Sequence, residues 1–238
     1  MVDITVRGTA LERASAELAT VTVHSRWSAS SAEAAMRAVA DAHARIVADA
    51  QAHEAAGAAA SWHADRVWIS HHEEWVGEGE PRRSVYTASA AVTVRFTDFE
   101  ALGTWIGSVG VHKTHEVGGI EWSLTDATVR ERSRVARARA IADAVERAAD
   151  YASAAGLGSP VVDAIQEPGT TPPAMPMAKG AARMATMSAE ADAAPAVSLE
   201  AGEIEVSAAV EVRFVVDPPS GSGEAPAVGR ASWASQAQ

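Results

Sequence analysis

The residues best suited to chemistry are His71-His72-Glu73-Glu74 and His112-Lys113-Thr114-His115. Imidazole and carboxylate together suit zinc or another divalent ion. On a strand, alternation puts His71 and Glu73 on one face and His72 and Glu74 on the other. Either pair would supply two ligands, and His112 and His115 would have to supply the rest. The plainer reading is a charged edge strand that discourages pairing and a polar loop ahead of Gly118-Gly119. No metal or cofactor is therefore assigned from the sequence, and His71, Glu73, His112 and His115 stand as the weakest class of candidate. The chain lacks Cys, which removes thiol nucleophiles, disulfides and Cys-ligated metals. It carries no Gly-x-Ser-x-Gly, His-Glu-x-x-His or phosphate-loop pattern. A non-enzymatic protein is expected.

Two other groups of residues point to contact rather than catalysis. Arg130, Arg132, Arg134, Arg137 and Arg139 crowd the first half of a helical stretch, with Asp143, Glu146 and Asp150 behind them. That order opposes the helix dipole, which favours acids first. Arg130, Arg134 and Arg137 fall in line with Ile141 and Val145, so an acidic or intersubunit partner is one reading and local ion pairs are the other. Met175, Met177, Met184 and Met187 hold four of the six methionines. Methionine suits adaptable contact surfaces.

The elements that position these residues follow from periodicity. Ile4 and Val6 alternate with polar residues before Gly8, which is expected to break the run. Leu18 to His24 is a second strand. Ser30 with Glu33 suggests a capping box for a helix running to about Ala56, with Gly57 beyond. Arg66–Val76 and Val85–Phe96 read as a hairpin. Asp98 caps a short helix, Phe99–Val109, and Ile120–Leu124 is a strand. The longest helix, about Thr125–Ala155, carries Ala136, Ala140, Ala144, Ala148 and Ala152 every fourth residue. Such a ridge of small side chains lets a helix lie close to what it covers. Short and long strands follow at Val161–Gln166 and Glu203–Val216. Between them lies a Pro/Ala/Met-rich loop, 167–202, and after them a tail, 217–238, that reads as disordered.

The stretches Ala88-Ser-Ala-Ala-Val-Thr-Val-Arg-Phe96 and Val206-Ser-Ala-Ala-Val-Glu-Val-Arg-Phe214 match at seven of nine positions. Each closes a strand–helix–strand–strand series, which suggests duplicated β-α-β-β units of about 1–110 and 111–216. The expected class is α+β: antiparallel sheets covered by two long helices, with one short extra helix. With 238 residues, 55 of them Ala, and only 6 Leu and 8 Ile, close helix packing has to replace bulky side chains. A net charge of −11 argues against nucleic acid as a partner. No apolar run is long enough to span a bilayer, and the opening residues carry no leader pattern, so a cytoplasmic protein is expected.

Several stretches together resemble the SIMPL-domain family. They are Ile4-Thr-Val-Arg-Gly8, Ala16-Glu-Leu-Ala-Thr-Val-Thr-Val23, Ala34-Ala-Met36 with Gly57, and Tyr86-Thr-Ala-Ser-Ala-Ala-Val-Thr-Val94. Phe99-Glu-Ala-Leu-Gly103, Ala155-Gly156-Leu157-Gly158, Ile165-Gln-Glu167 and Ala201-Gly-Glu-Ile-Glu-Val206 complete the series. The resemblance covers about residues 3–216. It implies an α+β fold, no established enzymatic activity, and self-assembly of the kind seen in bacterial members, or an adaptor role as in mammalian ones. It supplies no catalytic residues. A self-associating scaffold or binding protein is the expected function, with metal or small-ligand binding near His71 and Glu73 as the alternative. Bacterial members usually carry a signal peptide, which is not seen here.

Overall fold

The computed structural model describes residues 1–75, 77, 82–168 and 199–217. The chain runs β1 (Val2–Ser15), β2 (Leu18–Ala29), α1 (Ala32–Ala55), β3 (Ala59–Ala64), β4 (Trp68–Glu74), β5 (Arg83–Phe96), α2 (Phe99–Gly110), β6 (His115–Ser123), α3 (Asp126–Ala154), β7 (Val161–Gln166) and β8 (Glu203–Val216). The α+β class is as expected. The Met-rich stretch and the tail from 218 onward lie outside the described residues.

Two compact units divide the chain. One comprises the described residues of 11–135 together with 199–207. Its five-stranded sheet has the order β3-β5-β2-β6, with β4 also paired to β5. The β2–β5 register places Val21 opposite Val94 and Val23 opposite Val92. These four side chains, all at most 1% exposed, form a core with Phe96, Leu102, Trp105 and Ile46. α1 lies on this face because Ala35, Val39, Ala42, Ile46 and Ala50 recur at helical spacing and are all buried. Ser31 caps α1: its hydroxyl accepts a hydrogen bond from the Ala34 N–H at 3.3 Å. The capping box expected at Ser30 and Glu33 does not form, because Glu33 pairs instead with Arg37 one turn on. Asp98 caps α2 as expected, accepting from the N–H groups of Glu100 and Ala101, both at 3.0 Å.

The start of α3 is held in the same unit. The Glu17 carboxylate accepts from the Thr125 N–H and the Thr128 hydroxyl, both at 2.8 Å. These two donors, backbone first, with Arg132 nearby, hold the carboxyl below its ordinary pKa. An anion at a helix N-terminus faces unpaired N–H groups and the positive end of the dipole.

The other unit comprises, of the described residues, 1–10, 136–168 and 208–217. It contains the N-terminal part of β1, the C-terminal part of β8, and β7, within a sheet of order β1-β8-β7. Ala140, Ala144 and Ala148 of α3 pack on Val6, Val210, Val212 and Phe214. The alanine ridge read from the sequence is fully buried along its length. Gly8 does not end β1. The strand passes through it, because a Cβ there would stand 1.9 Å from the Ala140 carbonyl oxygen and 2.9 Å from the Ala144 nitrogen. The absence of a side chain is what lets the helix backbone come down onto the strand. The opposite end of α3 closes at Gly156, whose φ of 69° is the left-handed C′ conformation.

The strand pairing does not follow two successive β-α-β-β units. β6, the first strand of the expected second unit, pairs with β2, whereas β8 lies between β7 and β1. The two compact units likewise draw on both halves of the sequence rather than on 1–110 and 111–216.

Candidate functional site

The four candidate metal ligands do not meet. His71 lies on β4 opposite Tyr86 and stacks on its ring, with centroids 5.6 Å apart. Glu73 forms an exposed ion pair with Arg82 at 3.5 Å. His115 begins β6, on the far side of the sheet, opposite Ser25 of β2. With β5 and β2 between β4 and β6, three strand spacings of about 4.8 Å keep the two groups roughly 14 Å apart. Among the described residues no group of three or more His, Asp or Glu gathers in a geometry able to hold a metal. A shallow cleft lined by Ser28, Ser30, Glu74, Arg83 and Ser84 is crossed by the Glu74–Arg83 ion pair at 2.7 Å.

His112 and His115 do come together, edge to face with centroids 5.7 Å apart. His115 is half-buried, and its Nδ1 lies 3.1 Å from the Ser25 hydroxyl. Burial first, then the neighbouring His112 and Arg45, push the His115 pKa below its ordinary value, against the opposing pull of Asp49. A hydroxyl beside an imidazole is the start of a nucleophile–base pair. Ser25, however, is 1% exposed and sits under the sheet face covered by α1, where no substrate carbonyl can reach its oxygen. The contact satisfies a buried hydroxyl. Sequence reading missed Ser25 because a serine in an alternating strand carries no signal of its partner 90 residues away.

The arginines divide by neighbour. Arg137 pairs with Glu167, just beyond β7, at 3.6 Å. Arg130 and Arg134 are exposed. The ion pair fixes which side of α3 faces β7: Ile141 and Val145 continue the Arg137 flank at four-residue spacing. The opposite flank faces β1, where the Thr9 N–H donates to Asp143 at 2.8 Å and Arg147 donates to the Arg7 carbonyl at 3.2 Å. The tryptophans also divide. Trp105 is core, Trp62 and Trp122 are half-buried, and Trp68 and Trp75 are exposed.

The feature with the clearest capacity for contact is β7. Among the described residues it pairs only with β8, and its other edge has no strand beside it. Val162 and Ile165 stand opposite Phe214 and Val212, on the face that α3 covers elsewhere, yet they are 43% and 51% exposed, and Val161 is 63% exposed. Three of the other outer strands carry charges that discourage pairing: β4 ends in Glu73 and Glu74, β6 bears Glu116 and Glu121, and β1 bears Asp3 and Arg7. β3 has no such charge but, like β7, has a register shift. The one charge on β7, Asp163, is paired with Arg213 of β8. β7 contains neither Lys nor Pro. That combination is present in the sequence, but an open edge depends on strand order, which the segment alone does not encode.

Helix-covered antiparallel sheets, with three capped helices and a small-residue helix seat, define an α+β protein whose open surface is an apolar strand edge. The family model for SIMPL, described as a protein of unknown function (DUF541), matches residues 4–214. The chain therefore belongs to the SIMPL family. No curated protein matches it. Among the described residues, no helix is long and apolar enough to cross a membrane.

Proposed function

We propose that the protein works by association, as a non-enzymatic scaffold or binding module that contacts copies of itself. The observation that carries this reading is the β7 edge, with Val161, Val162 and Ile165 exposed and its one charge paired within the chain. An exposed apolar strand edge is a template for another strand, because unpaired N–H and C=O groups gain partners while Val and Ile side chains leave water. The burial of Ser25 supports the non-enzymatic part, since the described serine in contact with a histidine is closed to substrate. The test is native mass by light scattering on a size-exclusion column. The wild-type chain is expected at twice its 24.7 kDa mass or above. Val162→Lys with Ile165→Lys, both at exposed positions, is expected to return it to 24.7 kDa without loss of folded signal. A monomeric wild-type chain at micromolar concentration overturns the proposal.

A further inference from the structure

Building on the proposed self-association, we infer that the contact is a two-fold, antiparallel β7–β7 pairing that joins two three-stranded sheets into one of six strands. The sequence of β7 is self-complementary in that register. A two-fold axis between Asp163 and Ala164 places Val162 of one copy opposite Ile165 of the other, Asp163 opposite Ala164, and Val161 opposite Gln166. The register shift of β7 between Val162 and Ala164 is what makes this work. It brings Val162 and Ile165, three positions apart, onto the same face, so both cross-strand pairs are apolar and lie on the α3 side. Opposed pairs of this kind have Cβ atoms about 4.5–5.5 Å apart and are the unit of sheet stabilisation.

Charge does not oppose the arrangement. The two Asp163 carboxylates lie near the axis, and each is already paired with Arg213 of its own chain. The interface is isologous, so it closes on two copies and leaves no free β7 edge to propagate a fibre. The partner is a second copy because each strand presents the complement of its own pattern. An unrelated extended peptide would gain the backbone bonds but not the Val162–Ile165 match.

The chain has no Cys, so introduced thiols are its only ones. Val162→Cys and Ile165→Cys are made separately, oxidised mildly alone and as a mixture, and read on a non-reducing gel. A covalent dimer is expected in the mixture and in neither variant alone. Residues 162 of the two copies are offset by three positions, roughly 10 Å, too far for a disulfide, while 162 and 165 are opposed. Since disulfide geometry is demanding, a nitroxide on Val162→Cys gives a second reading. Dipolar broadening of its spectrum that corresponds to roughly 10 Å is expected, and it should vanish on dilution with unlabelled chain. A dimer by light scattering with an unbroadened spectrum, or disulfides formed as readily within one variant, overturns this pairing and leaves self-association standing. A monomer overturns both.

Discussion

Replacing Gly8 with Ala is the sharpest test of how α3 is seated. Gly usually weakens a strand, so an Ala at an ordinary strand position gains about 0.5–1 kcal/mol. Gly8 does not have a positive φ, so its backbone would accept Ala. The reason for glycine is steric. The added Cβ would lie 1.9 Å from the Ala140 oxygen and 2.9 Å from both the Cβ and the nitrogen of Ala144. Two of these three atoms are backbone, so no side-chain rotation relieves the contact. Restoring a 3.0 Å separation requires β1 and α3 to part by about 1.1 Å, the difference between 3.0 and 1.9. A gap of that size forfeits a quarter to a half of each dispersion contact nearby, and Val6, Ala140, Ala144 and Phe214 all lie in the cluster affected. Overpacking against backbone falls at the upper end of the usual range, about 3 kcal/mol. For a chain of this size that lowers Tm by roughly 6–12 °C. The assay is thermal and urea unfolding followed by far-ultraviolet circular dichroism. Ala144→Gly in the same chain relieves only one of the three contacts, so partial recovery is expected. An unchanged or raised midpoint for Gly8→Ala would show that the helix does not rest on Gly8, because strand propensity alone predicts the opposite sign.

The remaining expectations concern the half-buried charges and the larger core. His115 has its pKa held below the ordinary imidazole value by burial, so stability is full above about pH 6.5. As pH falls below that, the unfolded chain takes up the proton first, and stability declines until the folded-state pKa is passed. Urea midpoints measured from pH 7.5 to 5 should show this decline, and His115→Gln should reduce it. Glu17 behaves in the same sense in a more acidic range, its pKa being lowered chiefly by the Thr125 N–H. Its contribution is present above its unfolded pKa and lost as pH falls through the folded value. Glu17→Gln should lower the midpoint more at pH 7 than at pH 3, and equal effects at the two would refute the helix-capping role. Phe96→Ala removes a fully buried ring in edge contact with His53 and tilted against Trp105, and should cost about 3–5 kcal/mol in urea unfolding.

Most of the element order was legible because the local rules and the packing agree. The Ala136-to-Ala152 spacing announced a closely seated helix, Asp98 announced the start of α2, and β7 and β8 fall where alternation put them. Misreadings cluster where a long-range contact overrides a local signal. Gly8 was read as a breaker because its reason, the backbone of α3, lies more than 130 residues away. β3 (Ala59–Ala64) has little local signal, because Ala59 and Ala60 look helical and the strand is defined by pairing of Ala59 with Phe96 and Ser61 with Arg95. β6 begins at His115 rather than Ile120, since a register shift at Gly118 and Gly119 lets pairing with β2 resume at Val117. The candidate site was less legible. His71 and His115 look like one ligand set only until the sheet order puts two strands between them, and an exposed edge is a property of strand order that no single segment encodes.

The placement of β1 has a consequence for how the chain comes to be folded. Val6 belongs to the same cluster as Val212 and Phe214, so β1 is completed by β8, which is made much later. About 200 residues must be synthesised between them, which takes roughly 10–40 s at ribosomal speeds of about 5–20 residues per second. Residues 11–135 supply nearly all of the five-stranded unit and can condense during that interval. The β1–β8–α3 cluster cannot, and its closure pays the entropy of a long loop. Folding is thereby ordered in time, with the high-contact-order unit last and slowest. Its slow step ends with the arrival of β8, the strand on which β7 also depends.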